Sequence, residues 1–222
     1  TGETRQMRSK EDAHEEPTIK RSRSHDYVSR EVINVRENVG LIEVANFSKH
    51  EFKGTHARKF LDHVMAGKLP KPGRISLSPM LSYRGKLCGD LTVACFDENE
   101  FMVFGSGAAQ EMHRRWFESH LDKFDVNYKN RSDEFHGISI AGPNSRKVLE
   151  KIVRDDVSNE KFKFRDSRRM FVGGVPTIIN RISFTGELGY EIYVAPHYQI
   201  KLYEELMDCL LYTSPSPRDG FT

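Results

Sequence analysis

Cysteine is scarce in this chain, and the few cysteines present are badly spaced for their common structural uses. The 222 residues contain three, Cys88, Cys95 and Cys209. A number this small and odd excludes a disulfide framework, and no Cys-x-x-Cys or Cys/His spacing indicates a metal site. The nine histidines show no metal-ligand spacing either. We therefore expect a protein of a reducing compartment without a metal site.

Long apolar runs and an excess of one charge sign are also missing. No stretch approaches the roughly 20 apolar residues that a membrane-spanning helix needs, and no signal peptide is visible. The 34 Lys and Arg residues nearly balance the 32 Asp and Glu residues, which leaves a formal net charge of +2. Because no single face collects the basic residues, the sequence does not indicate a nucleic-acid partner. We expect neither a membrane nor a nucleic acid among the partners.

Motifs for nucleotide binding and for nucleophilic catalysis are lacking as well. No Walker loop is present, and no Ser/His/Asp or Cys/His arrangement can be assembled. The run Gly105–Gly107 matches only part of a dinucleotide fingerprint, since Gln110 occupies the place of the third glycine. This run instead predicts a tight turn from a strand into a helix.

The two ends of the chain differ in composition from the rest. Residues 1–26 are almost entirely polar with mixed charge runs, which is typical of a linker or disordered arm. Residues 212–222 include a Ser-Pro run that cannot extend a helix, and we interpret them as a non-native tail. The interval 27–211 is long enough to bury a hydrophobic core of its own.

The same order of predicted elements occurs twice within this interval. The segment Gly54–Leu61 aligns with Gly142–Leu149, and each segment carries an Arg-Lys pair in the same place. Each predicted helix is followed by strands and a further helix. We predict two pseudo-repeats, about 41–121 and 135–211, each built as a β-α-β-β-α unit. The expected fold class is α+β, with antiparallel or mixed sheets that carry helices on one face.

A carboxylate within a strand is the first candidate for function. Two β-rich runs in Arg181–Val194 flank the turn Thr185–Gly189. Strand alternation after the turn places Glu191 and Tyr193 on the same face. Glu191 must then either face water or meet a partner with several hydrogen-bond donors. A planar heterocycle with adjacent N–H donors, such as a pterin, would satisfy it with two hydrogen bonds, and a solvated strand residue is the alternative.

Asp90 is the second such carboxylate. It lies in Gly85–Val93, a predicted strand of mostly apolar or small residues. Gly89 before it allows another backbone or a ligand to approach closely. A carboxylate in this setting suits proton exchange with an amine. A bulge carboxylate that caps a neighbouring loop explains the pattern equally well.

Several stretches resemble the folate-binding domain shared by dimethylglycine and sarcosine dehydrogenases and the glycine-cleavage T-protein. They are Leu41–Phe52 with Gly54, Met80–Phe96, Ile138–Ser145, Asp156–Asn159 and Arg181–Tyr193. The resemblance covers roughly residues 27–211, and its most specific parts are Ile182–Ile192 and Gly85–Val93. The residues Asp156–Asn159 and Phe184–Gly189 are more similar to the dehydrogenases than to the T-protein.

The resemblance implies the amino-terminal portion of a T-protein-like folate-binding domain in a flavin-dependent dehydrogenase that demethylates dimethylglycine or sarcosine. Tetrahydrofolate would accept the one-carbon unit, and FAD would bind to a separate domain of the same parent chain. The segment would then not oxidise a methylated glycine alone. The expected compartment is the mitochondrial matrix in a eukaryote and the cytoplasm in a bacterium. The alternatives are the aminomethyltransferase of glycine cleavage and a non-catalytic folate-binding regulatory module.

The resemblance also implies roles for five residues. Asp90 would lie beside the folate N5 nitrogen and assist transfer of the one-carbon unit, whereas Glu191 would pair with the pterin ring. Thr92 and Phe184 match further pocket positions, and Phe184 stands where the family often has tyrosine. Ser106 lies on the turn expected beside the pterin.

Overall fold

The structure, a computed structural model, describes residues 19, 21 and 25–211, with the backbone alone at residue 211. This part of the chain forms five α-helices and ten β-strands. The helices are α1 (His25–Glu37), α2 (Ala57–Val64), α3 (Gln110–Glu118), α4 (Ser145–Ile152) and α5 (Gln199–Leu211). The strands are β1 (Gly40–Glu43), β2 (Ser48–Lys53), β3 (Arg74–Leu81), β4 (Leu87–Asp97), β5 (Glu100–Gly105), β6 (Asn127–Asn130), β7 (His136–Ala141), β8 (Ser167–Val172), β9 (Val175–Asn180) and β10 (Gly189–Val194).

The predictions for the two ends fall largely beyond this range. The proposed linker 1–26 is described only at residues 19, 21, 25 and 26, and the proposed tail 212–222 lies outside the described residues. Helix α1 begins at His25 and has no buried residue. Over the described residues, the structure contains no helix that is both long and apolar enough to cross a membrane.

The strands form two antiparallel five-stranded sheets with matching strand orders. The first sheet has the order β3-β4-β5-β2-β6, and the second has the order β8-β9-β10-β7-β1. The predicted α+β class is confirmed. Each half, however, is a β-α-β-β-β-α unit with one strand more than predicted. Strands β5 and β10 each pair with the first strand of their own half.

The fifth strand of each sheet comes from the other half of the chain. Strand β1 precedes β2 in sequence but pairs with β7 of the second sheet. Strand β6 precedes β7 in sequence but pairs with β2 of the first sheet. This exchange joins the two halves of the chain by main-chain hydrogen bonds, so neither half is complete without a strand of the other.

The two sheets face each other and carry helices on their outer faces. Helices α2 and α3 bury Phe60 and Phe117 against the first sheet. Helices α4 and α5 bury Leu149 and Leu202 against the second sheet. The buried hydrophobic side chains between the two sheets are Ile75, Ala94, Met102, Phe104, Ile178 and Tyr193. The central strands of both sheets are therefore covered on both faces.

Two glycines have the same function in the two halves. Gly54 follows β2 with φ of 138°, and Gly142 follows β7 with φ of 129°. A Cβ atom at Gly54 would collide with the carbonyl oxygen of Asp125, just before the exchanged strand β6. A Cβ atom at Gly142 would collide with the carbonyl oxygen of Asn38, just before the exchanged strand β1. The aligned glycines thus let each helix begin next to the strand that crosses over.

We expect Gly54→Ala and Gly142→Ala each to lower the free energy of unfolding by about 1–3 kcal/mol more than Gly174→Ala does. Gly174 also has a positive φ, 74°, but a Cβ atom there would meet nothing within 4 Å. The difference therefore measures the collision with the main chain together with the greater strain of a φ near 130°. Urea denaturation of the three variants would provide the comparison, and equal losses would contradict this role of the two glycines.

Candidate functional site

Glu191 lies on the inner face of β10, as strand alternation predicts. Its neighbours Tyr190 and Ile192 belong to the core beneath α4 and α5, whereas Tyr193 belongs to the core between the sheets. The carboxylate is half-buried, and the Tyr193 hydroxyl donates a hydrogen bond of 2.8 Å to its Oε2. Burial raises the pKa of Glu191, and the hydrogen bond from Tyr193 opposes this increase. Among the described residues, none donates a hydrogen bond to Oε1.

Asp90 and Thr92 lie on the inner face of β4. Thr92 is directly opposite Phe104 of β5, and Asp90 is opposite Pro79 of β3. The Asp90 side chain is exposed rather than enclosed by apolar neighbours. In the part of the chain that the structure describes, no side chain or backbone group forms a hydrogen bond or ion pair with it, so it does not cap a neighbouring loop. Its carboxylate is free to meet a ligand.

A series of side-chain contacts joins the two strands that carry these carboxylates. Directly opposite residues in an antiparallel pair have Cβ atoms about 4.5–5.5 Å apart, which places Phe104 beside Thr92. The Phe104 ring stacks on Tyr193 with ring centroids 4.5 Å apart. Because Tyr193 also bonds to Glu191, the structure brings Thr92 and Glu191 to the same region between the sheets. Asp90 lies on the same face of β4, two residues before Thr92, where the strand is exposed.

Ser106 directly follows β5 and is two residues after Phe104. It is exposed and joins β5 to a short 3₁₀ turn, Gly107–Ala109, which leads directly into α3. The predicted tight turn from strand to helix is therefore confirmed. Thr92 is paired with Phe104, and the same register continued by two residues would bring Ser106 beside Asp90.

Phe184 is separated from the other four candidates. Strand β9 ends at Asn180, so the predicted strand over Arg181–Phe184 is wrong and these residues begin the loop to β10. The loop can leave the sheet because β10 pairs with β9 only from Glu191 onward. Phe184 is 100% exposed in this loop and is not packed against the other candidate residues.

A cavity of about 240 Å³ lies beside this loop. It is lined by Phe164, Arg181–Ser183 and Gly186–Gly189. It reaches β10 two residues before Glu191 but includes neither Asp90 nor Thr92. This cavity is therefore separate from the candidate residues of the first sheet.

Lys49 is a candidate that the sequence did not reveal. Its side chain is fully buried on the inner face of β2, where the ammonium donates a hydrogen bond of 2.6 Å to the carbonyl of Ala45. The Nζ atom is 5.8 Å from the centroid of the Tyr193 ring. Burial lowers the pKa of Lys49 to about 8, and the charge of Asp133 opposes this decrease. Lys49 shares a face of β2 with Glu51 and Lys53, and a row of charged residues is typical of a solvated strand face.

His113 of α3 packs on the outer face of β4 and β5, on the opposite side of the sheet from Asp90. It is buried, and its Nε2 atom is 3.3 Å from the carbonyl oxygen of Cys88. A Cβ atom at Gly89 would lie 2.8 Å from Nε2, and one at Gly105 would lie 3.1 Å from Nδ1. The close approach expected at Gly89 is therefore made by a histidine ring. Within the described residues, no three His, Cys, Asp or Glu side chains are placed to hold a metal ion.

A family model and known proteins with established names are similar to this chain. The model of the GCVT N-terminal domain matches residues 6–209. Mitochondrial dimethylglycine dehydrogenase of Mus musculus is 34% identical over 200 residues, which are 89% of this chain and 23% of that protein. An aminomethyltransferase of Thermoanaerobacter pseudethanolicus is 28% identical over 177 residues, which are 78% of this chain and 48% of that protein.

The fold also matches a solved structure. The crystal structure of glycine cleavage system aminomethyltransferase T from Bartonella henselae superposes with a TM-score of 0.72 and 20% identity, over 80% of this chain and 48% of that one. The chain thus spans about a quarter of the dehydrogenase relative and about half of the aminomethyltransferases. Since the family model covers nearly all of its residues, this chain belongs to the family of proteins that contain the GCVT N-terminal domain.

Proposed function

We propose that the chain is the tetrahydrofolate-binding, one-carbon-accepting part of a flavin-dependent dimethylglycine or sarcosine dehydrogenase. The observation that carries the proposal is Glu191, a half-buried carboxylate whose Oε1 has no partner among the described residues. A carboxylate removed from water needs hydrogen-bond donors, and two N–H groups on one edge of a ring supply them. A reduced pterin has such an edge.

The remaining candidates suit the same ligand. Thr92 lies near Tyr193 and Glu191 through Phe104, and its hydroxyl can donate or accept a hydrogen bond. Ser106 supplies a second, exposed hydroxyl directly after β5. Phe184 is an exposed aromatic ring on the loop before β10, where it can stack on a planar ligand.

Asp90 supplies the acid–base group. Bound tetrahydrofolate would provide a nucleophilic nitrogen for the one-carbon unit. An exposed carboxylate without a partner among the described residues can accept the proton of such a nitrogen and stabilise the positive charge that develops there. Asp90 and Glu191 therefore have different roles, the first in proton transfer and the second in binding.

The flavin and the methylated glycine are assigned to another domain of the parent chain. The turn Gly105–Gly107 lacks the third glycine of a dinucleotide fingerprint and joins an antiparallel strand to a helix, so it does not fit FAD. We place such a protein in the mitochondrial matrix of a eukaryote, in keeping with the mitochondrial mouse relative, or in the cytoplasm of a bacterium.

Aminomethyl transfer is the alternative, since an aminomethyltransferase shares this fold. The test uses the full-length parent chain with tetrahydrofolate, supplied either with dimethylglycine and sarcosine or with an aminomethyl-loaded lipoyl carrier protein. We expect the methylated glycines to yield methylenetetrahydrofolate, measured by mass spectrometry. Turnover of the lipoyl carrier alone would support the aminomethyltransferase. Folate binding without turnover of either would support a regulatory module.

A further inference from the structure

In the hydrogen bond between Tyr193 and Glu191, the tyrosine is the donor and the carboxylate is the acceptor. Both side chains project from the inner face of β10, two residues apart, and the Tyr193 hydroxyl is 2.8 Å from Oε2 of Glu191. Tyr193 is fully buried, and burial raises its pKa well above the ordinary value. The phenol therefore stays protonated at neutral pH and donates to the carboxylate. One of the two carboxylate oxygens is occupied before any ligand binds.

The Tyr193 ring is held on three sides. Phe104 stacks on it at 4.5 Å, with an angle of 26° between the ring planes. Gly137 is directly opposite on β7, and a Cβ atom there would lie 2.8 Å from Cε1 of the ring. The Lys49 ammonium lies 5.8 Å from the ring centroid. A ring packed in this way cannot change rotamer without moving both sheets.

Glu191 has no comparable restraint of its own. A glutamate side chain has several rotatable bonds, and fixing them on ligand binding costs conformational entropy. The residues opposite Glu191, Ser139 on β7 and Asn180 on β9, are uncharged, and neither forms a hydrogen bond with it. The hydroxyl of Tyr193 is the contact that orients the carboxylate in the described part of the chain.

We propose that Tyr193 is a positioning residue, which holds Oε2 of Glu191 so that Oε1 is presented to the N–H edge of a pterin. The inference rests on the proposed function and adds to it a residue that does not contact the ligand. It also defines the class of ligand. The ligand must donate to a carboxylate that already accepts one hydrogen bond, which favours a flat ring edge with N–H groups over a flexible amine.

The test compares Tyr193→Phe with Tyr190→Phe in the full-length chain. Both tyrosines are fully buried in β10 and each substitution removes one hydroxyl, but Tyr190 lies on the opposite face beneath α4 and α5. We expect Tyr193→Phe to weaken binding of 5-formyltetrahydrofolate by about 3- to 10-fold in calorimetry, because the ligand must then order a carboxylate that the hydroxyl no longer holds. Tyr190→Phe should bind as tightly as the wild type.

The pH dependence of binding distinguishes positioning from a general loss of structure. The hydrogen bond from Tyr193 lowers the pKa of Glu191, so its removal raises that pKa further. Binding requires the ionised carboxylate, and the decrease in affinity on acidification should therefore begin at a higher pH in Tyr193→Phe. Lys49, the charged group that faces the Tyr193 ring from β2, has a pKa of about 8 and keeps its charge between pH 5 and 7. A change in affinity measured between pH 5 and 7 therefore reports the protonation of Glu191.

A ligand-free crystal structure of each variant separates this inference from the proposed function. We expect Glu191 to adopt more than one orientation in Tyr193→Phe, and a single one in the wild type and in Tyr190→Phe. A single unchanged orientation would overturn the inference, as would a full affinity and an unshifted pH profile. Failure of the wild type to bind any folate would instead refute the proposed function, while the orientation of Glu191 would still decide whether Tyr193 positions it.

Discussion

Asp90→Asn in the full-length parent chain should reduce the yield of methylenetetrahydrofolate by about 100-fold or more, which is the usual contribution of a general acid–base group. Asparagine keeps the size of the side chain but cannot accept the proton or balance a positive charge. Folate affinity and oxidation of the methylated glycine should be retained, so free formaldehyde should accumulate. Mass spectrometry of the folate products and a formaldehyde assay provide the measurement.

The structure makes this substitution a clean test. Asp90 is exposed and has no partner among the described residues, so its replacement breaks no contact that stabilises the fold. Asp62→Asn is the matched control, because Asp62 is an exposed carboxylate on α2, far from the inner faces of the sheets. An unchanged product yield in Asp90→Asn at saturating folate would show that Asp90 has no catalytic role.

Glu191→Gln should weaken folate binding by about 10- to 150-fold, which corresponds to the roughly 1.5–3 kcal/mol of one hydrogen bond to a charged group. The amide has the same shape, but one end of it is a donor that opposes the N–H groups of the ligand. The maximal rate at saturating folate should change much less than the affinity. Calorimetric titration gives the affinity, and steady-state kinetics give the rate.

Thermal denaturation at two pH values distinguishes this loss of affinity from unfolding. Because burial raises the pKa of Glu191, the folded state holds its proton more tightly than the unfolded state. The free energy of unfolding therefore falls as the pH rises from the ordinary glutamate value through the raised one. Glutamine does not ionise, so Glu191→Gln does not lose stability as the pH rises. This variant should be at least as stable as the wild type at neutral pH. Glu43→Gln, at an exposed position of β1 in the same sheet, should change neither affinity nor stability.

Local signals were sufficient for the elements and for the repeat. The aligned segments that begin at Gly54 and Gly142 predicted two similar halves, because a glycine before an apolar period of 3.6 residues is visible in a short window. The exchange of β1 and β6 was not predicted. It depends on which distant strand supplies the hydrogen-bond partners, and strand periodicity contains no information about the partner.

The candidate site shows the same limit. Alternation along β10 correctly placed Glu191 and Tyr193 on one face. The hydrogen bond between them depends on the packing of the first sheet against that face, which the alternation does not specify. The close approach at Gly89 was predicted, yet the group that approaches is His113 from α3. Lys49 was missed because a lysine in a run of charged residues normally faces water.

The sequence by itself determined the α+β class, the repeated order of helices and strands, and the positions of Asp90 and Glu191 along their strands. These properties follow from the side-chain period and from glycines, both of which act over a few residues. The tertiary structure decided that the polar faces of β2, β4 and β10 meet each other. Packing one sheet on the other buries Lys49 and Tyr193 and half-buries Glu191, while Asp90 stays exposed at the end of β4. Burial depends on the element that packs from outside the strand, so no pattern within a strand can specify it.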